Sequence, residues 1–282
     1  MTDPAGATLC MPDGMRSCFA CCPPIRPAGY EHISYKSIVK RMLRENTRAY
    51  IPGETKMRPI TGFSCWALGY LDPGASLVGC LLHPLRNQGE DLRCRVDYGD
   101  KCSRETCPEA KAFSCLNPEE RRFWLGLTQG LDGFSYSSRK DNPLFHLLGW
   151  GSYVLGLIAS LRAERPPRRE SFFQDYPFFA TPLPPKACTY LLRSLLDRDR
   201  LRLLEDPLFR IEFERLHEKI SGVQAVEVRC HAGDPPVHLL GLDPDFAAFV
   251  RLALGVRRMP LQGVLRLKDR VDAVLDDFRR RL

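Results

Sequence analysis

Apolar positions fall into two habits along the chain, and the habit changes near residue 116. Ser34 is a plausible N-cap, and after it Ile38, Val39, Met42 and Leu43 recur at helical spacing. Lys36, Lys40, Arg41, Arg44 and Arg48 fill much of the remaining surface, so this segment reads as a basic amphipathic helix covering a core. Between residues 60 and 115 the apolar runs are short. Residues 63–68 and 77–82 suit buried strands, with Asp72-Pro73-Gly74 between them and turns at Asn87-Gln88-Gly89 and Tyr98-Gly99-Asp100. No long helix is expected there.

From Asn117 onward the chain is punctuated for helices. Asn117-Pro118-Glu119-Glu120 combines an N-cap, a proline at N1 and an acid at N3, and Phe123, Trp124, Leu127 and Leu131 follow until Asp132-Gly133 ends the run. Asn142-Pro143 repeats the device before an apolar helix over residues 144–161, which Pro166-Pro167 stops. Residues 172–185, rich in aromatics and proline, read as a loop over a groove. Helices are predicted over 187–204, from Asp206-Pro207 toward Ile220, and from Asp243-Pro244 to Gly255. Val223 to Cys230 alternates like a strand. The last helix repeats Val264, Leu267, Val271, Val274, Phe278 and Leu282 at a period near 3.6.

These patterns predict an α+β, predominantly helical protein in two parts. Residues 1–116 form a small, irregular, cysteine-rich module with short strands, and residues 117–282 form a helical domain. A chain that is 44% hydrophobic and 27% charged can bury a core without disulfides. The net charge of +7 is spread among acids, as in Asp197-Arg198-Asp199-Arg200. The sharpest basic cluster, Arg162 to Arg169, comes with no continuous stripe or known reader motif, so nucleic acid is not an expected partner. The apolar stretch over 144–161 contains His146, Ser152 and three glycines, which suits a core helix better than a membrane span. The first residues carry aspartates and no apolar run, so a reducing, cytoplasmic setting is expected.

The candidate chemistry lies in sulfur. Ten of the twelve cysteines fall in the first 115 residues. Cys18-x2-Cys21 has knuckle spacing, in which two thiolates turn back on one metal while a distant segment supplies a second pair. Cys65 and Cys80 are candidates for that pair, with His83 just beyond. Cys102, Cys107 and Cys115 form a looser group. Prolines and turns surround Cys18, Cys21 and Cys22, which is a poor setting for small core hydrophobes. Cys188 and Cys230 suit that bland role better. Cys102, between Lys101 and Arg104, is the thiol whose setting most favours reactivity.

Met15-x2-Cys18-x2-Cys21-Cys22 resembles the CxxCxxCC signature of the YkgJ-like cysteine-cluster family, and Gly79-Cys80-Leu81-Leu82-His83-Pro84 resembles that family's cysteine-apolar-x-x-Pro segment. The resemblance covers the first 115 residues or so. It implies a zinc- or iron-chelating domain, with Cys18, Cys21, Cys22 and Cys80 as ligands and further ligands among Cys102, Cys107 and Cys115. Met15 stands where the signature has its first cysteine, and a thioether is a far weaker zinc ligand than a thiolate. Cys10 is the candidate replacement.

Thiolate-only sites suit zinc and iron–sulfur clusters alike. Cys22-Pro23 and Cys107-Pro108 echo the Cys-Pro ending of ferredoxin runs, but the full order is absent. No HExxH, G-x-S-x-G or glycine-rich phosphate loop occurs, so no catalytic residue is expected. The sequence therefore predicts a non-catalytic metal-binding protein, holding zinc or alternatively an iron–sulfur cluster. Its ligand candidates are Cys18, Cys21, Cys22, Cys65, Cys80, Cys102, Cys107 and Cys115, its role is structural or docks a protein partner, and an iron–sulfur redox protein is the alternative.

Overall fold

The computed structural model describes the chain apart from residues 1–6, 23–28, 54–55, 61–63, 85, 98–101, 103–106, 163–165 and 224–232. The described residues are predominantly helical with one two-stranded sheet. They divide into two compact units, Met1–Phe145 and His146–Leu282. The break expected at 116/117 therefore falls inside the first unit.

In the first unit a 3-10 turn at His32–Tyr35 leads into α1 (Lys36–Ala49), whose Val39 and Leu43, one turn apart, are buried. The C-terminal half of α1 clamps a small hairpin. Asn46 Nδ2 donates to the carbonyls of Cys65 (3.1 Å) and Leu68 (2.9 Å), and Thr47 Oγ1 accepts from the Tyr70 amide at 2.8 Å. Strands β1 (Leu68–Tyr70) and β2 (Val78–Cys80) pair antiparallel, with Leu68 opposite Cys80 and Gly69 opposite Gly79. Gly69 is required by the closeness of α1, because a Cβ there would lie 2.8 Å from Thr47 Oγ1 and 2.9 Å from Leu81 Cδ1. Asp72 closes the connection by accepting the amides of Ser76 and Leu77.

The second expected strand falls on β2, but the first starts at Leu68 rather than at residue 63. The Leu68 amide bonds the Cys65 carbonyl at 3.0 Å, so Cys65-Trp66-Ala67 is a turn and not extended chain. A helix that the sequence reading did not anticipate, α2 (Pro108–Ser114), follows Cys107. Next comes α3 (Pro118–Leu125), where Asn117 and Glu120 form the reciprocal capping box read from the sequence. Asp132 does not merely end a run. Its carboxylate accepts the Ser135 amide at 2.8 Å and opens α4 (Gly133–Ser137).

Bonds from the turn after α3 and from α4 to the N-terminal stretch explain why the unit extends past residue 116. Arg16 Nη1 donates to Thr128 O (2.6 Å), the Phe19 amide donates to Ser137 Oγ (3.1 Å), and Tyr136 OH donates to Leu9 O (2.9 Å). Phe19, Val39, Leu43, Cys65, Leu68, Val78 and Phe134 share one hydrophobic core. Helix α1 thus covers the cysteine-rich core, as its apolar stripe predicts.

The apolar stretch over 144–161 is two helices, α5 (Pro143–Leu148) and α6 (Ser152–Arg162). Gly151 sits between them at φ +86°, a left-handed conformation that ends a helix, and Gly149 lies so close to Pro185 that a Cβ would approach its ring to 3.0 Å. One continuous helix was expected here, and Gly151 divides it. Residues 172–185 are not a covering loop. They form α7 (Phe172–Asp175) and a 3-10 turn (Pro177–Ala180), with Phe178 and Phe179 buried against Trp150, Phe172 against Phe179, and Phe209 and Phe213 against Phe178.

The remaining helices of the second unit are α8 (Pro185–Leu195), α9 (Pro207–Val223), α10 (Pro244–Leu252) and α11 (Leu261–Arg281). Helix α8 packs on α10 through Tyr190 and Phe246, whose ring centroids are 4.8 Å apart. Helix α11 buries Val264, Leu267, Val271, Leu275 and Phe278, so Leu275 takes the place expected for Val274. Most of the strand expected at 223–230, with Cys230, lies outside the described residues. Among the described residues, no helix is long and apolar enough to cross a membrane.

Candidate metal centre

One cavity of about 820 Å³ in the first unit gathers the sulfurs. Cys10, Cys18, Cys21 and Cys22 reach it from the N-terminal stretch, Cys65 and Cys80 from the two ends of the hairpin, and Cys102 and Cys107 from the approach to α2. Seven of the eight cysteines expected as ligands therefore meet, although up to 89 residues separate Cys18 from Cys107. The eighth, Cys115, caps the C-terminal end of α2 and is exposed.

Local backbone geometry delivers each sulfur. The Cys18 amide bonds the Cys10 carbonyl at 2.8 Å and closes a loop, within which Asp13 accepts the amides of Met15 and Arg16. That closure carries Cys10 to the cavity and turns Met15 out to 80% exposure. Cys10 therefore lines the cavity and the Met15 thioether does not. Ser17 Oγ donates to Val78 O, which anchors the Cys18 segment to β2.

Cys65 and Cys80 are arranged alike. Each opens a turn, with Leu68 N bonded to Cys65 O (3.0 Å) and His83 N to Cys80 O (3.2 Å), and each sulfur accepts the amide two residues on, from Ala67 and Leu82 respectively. Cys18 repeats the pattern with the Ala20 amide, and Cys107 Sγ accepts from Ala110 N at 3.3 Å as the N-cap of α2. Amide donors aimed at sulfur favour its charged form, the form that binds metal.

Without metal, burial dominates. It pushes the Cys65 thiol up to about 12, Cys80 up to about 11 and Cys107 up to about 12, and it raises Cys18 and Cys10 as well. Cys22 is raised by a thiol–thiol hydrogen bond with Cys21 and then by burial. Positive side chains answer this sulfur. Arg86, Arg93, Lys111 and Arg139 line the cavity, and Arg93 acts electrostatically on Cys10 and Cys80. Arg93 is itself held by Asp91 and donates to the Cys102 carbonyl at 2.7 Å. These cations, like the position of Cys10, carry no spacing signal in the sequence. His83 also lines the cavity, half-buried, and its basicity is lowered by burial and then by Arg93.

The donor chemistry fits a thiophilic metal: soft thiols, amides aimed at several of them, and cations nearby. The spacing is open, because among the described residues no three His, Cys, Asp or Glu side chains are close enough to hold an ion as they stand. Cys102, the thiol singled out for reactivity, lines the cavity, while its neighbours Lys101 and Arg104 lie outside the described residues. Cys94 is exposed in the 3-10 turn Arg93–Arg95, and Cys188 is a buried core residue of α8. No protein-family model matches the chain, and neither the curated proteins nor the solved structures contain a match to it.

Proposed function

We propose that this chain is a metal-binding protein whose clustered cysteines hold zinc in the first unit, without catalysis, in a structural or partner-docking role. The observation that carries the reading is the convergence of eight cysteines, from three separate stretches of chain, on one cavity. Buried cysteines used only as small hydrophobes have no reason to share a cavity, to accept backbone amides, or to sit beside arginines. The local resemblance of Met15–Cys22 to the YkgJ-like signature supports the same reading.

The residues that would hold metal are Cys10, Cys18, Cys21, Cys22, Cys65, Cys80, Cys102 and Cys107. Bound zinc would supply cross-links among stretches that otherwise share a thin core, a known source of stability in small irregular modules. The thiols must lose their protons to bind, so uptake releases protons and strengthens as pH rises.

The test is anaerobic purification followed by measurement of zinc, iron and acid-labile sulfide per chain, with a visible spectrum. Zinc without sulfide, and loss of thermal stability on chelation, is the expected result. Iron matched by sulfide would replace the zinc reading with an iron–sulfur redox protein. Absence of both would sink metal binding altogether.

A further inference from the structure

We infer that the cavity holds two separate zinc centres, one on Cys10, Cys18, Cys21 and Cys107 and the other on Cys22, Cys65, Cys80 and Cys102. The inference rests on the metal-binding reading above and adds the number of centres and their ligands.

The partition follows from which thiols neighbour which. Cys18 has Cys21, Cys10 and Cys107 as its interacting thiols, Cys10 has Cys21, and Cys107 has Cys10. On the other side, Cys65 interacts with Cys80 and Cys102, Cys80 with Cys102, and Cys22 with Cys80 and Cys65. Cys21 faces both groups, Cys10 and Cys18 on one side and Cys22 and Cys80 on the other, and it is the residue at which the chain passes from one group to the other.

Zinc in structural sites is almost always four-coordinate. Eight thiols make two complete shells with none left over, whereas a single ion would leave four of the sulfurs that line the cavity with no role. The architecture agrees. The first group joins the N-terminal loop to the start of α2, and the second joins Cys22 to both ends of the hairpin and to Cys102. Each centre would therefore staple a different set of segments. Tetrathiolate zinc carries net negative charge, and Arg93, which faces Cys10 in one group and Cys80 and Cys102 in the other, is placed to offset both.

The experiment uses the full chain, reduced and loaded with zinc, then with cadmium-113. The expected content is about two zinc ions per chain, and the cadmium form should give two resonances in the all-sulfur region. Cys107→Ser and Cys65→Ser should each lose one ion and one resonance, and a different one in each case. One ion per chain with a single resonance would overturn the two-centre inference while leaving metal binding intact. So would two ions whose resonances both shift in either variant, since that marks one shared binuclear cluster. No bound zinc would remove this inference together with the reading beneath it. The content and resonances of the unmodified protein decide the count even where a variant fails to fold.

Discussion

Arg16 holds the loop that carries Cys10 and Cys18. Its guanidinium bonds Asp13 within the loop and reaches out to the carbonyl and hydroxyl of Thr128, at 2.6 and 2.7 Å. Arg16→Ala should therefore weaken zinc affinity by roughly tenfold, the lower end of what outer-shell changes cost. Competition against a chromophoric chelator would measure this, and unchanged affinity would show that the loop holds without the arginine. Cys188 carries a different expectation, because burial alone pushes its thiol up to about 12. Its folded value lies above the unfolded one of about 8.5, so its contribution is full below pH 8.5 and is lost as pH rises toward 12. Across that window it should account for about 1.4 kcal/mol of stability per pH unit. Urea denaturation of metal-free protein at pH 8 and 10 should show a shallower alkaline decline in Cys188→Ala, and equal slopes would contradict the assignment. The sequence marks Cys188 as a core residue because its neighbours keep helical period. It gives no sign of Arg93, since an arginine beside sulfur in space need not be beside it in the chain.

At the scale of elements, helix starts are legible where a side chain both caps and precedes proline. Asn117-Pro118, Asn142-Pro143 and Asp243-Pro244 all open helices. Asn117→Ala removes an acceptor for two amides and should cost about 1 kcal/mol, visible as a lower denaturation midpoint. A midpoint unchanged within error would mean that solvent replaces the cap. Cys107-Pro108-Glu109 uses the same device, but cysteine is not among the usual caps, so α2 escapes a reading based on Ser, Thr, Asp and Asn. The hairpin's first strand starts late because its turn is built on a sulfur and a carbonyl of Cys65, a pattern that apolar alternation does not register. Gly151 escapes for another reason. In an apolar run a glycine is compatible with a continuous helix, and only its positive φ makes it a stop. Gly69→Ala should destabilise the first unit, because the added methyl meets Thr47 Oγ1 at 2.8 Å where that hydroxyl already bonds Tyr70. A drop in melting temperature is the expected outcome, and wild-type behaviour would show that α1 can move away from β1.

At the scale of the molecule, the cysteine density foretells a sulfur-rich module, and its position in the first unit agrees. The limits of that unit were not legible. The capping box at Asn117 marks a real helix start, yet Thr128, Tyr136 and Ser137 beyond it bond back to the N-terminal stretch. Long-range polar contacts of this kind leave no periodic trace. Spacing also does not say which sulfurs meet. Cys115 fits the downstream group by count but does not line the cavity, while Cys10, outside the regular spacing of Cys18 and Cys21, does. Metal-dependent thiol labelling separates these two sets. Native, anaerobic protein would be alkylated with and without a strong chelator, digested, and mapped by mass spectrometry. Cys94 and Cys115 should react under both conditions, and Cys10, Cys18, Cys21, Cys22, Cys65, Cys80, Cys102 and Cys107 should become reactive only after chelation. Labelling of those eight that chelation leaves unchanged would mean that no metal joins them.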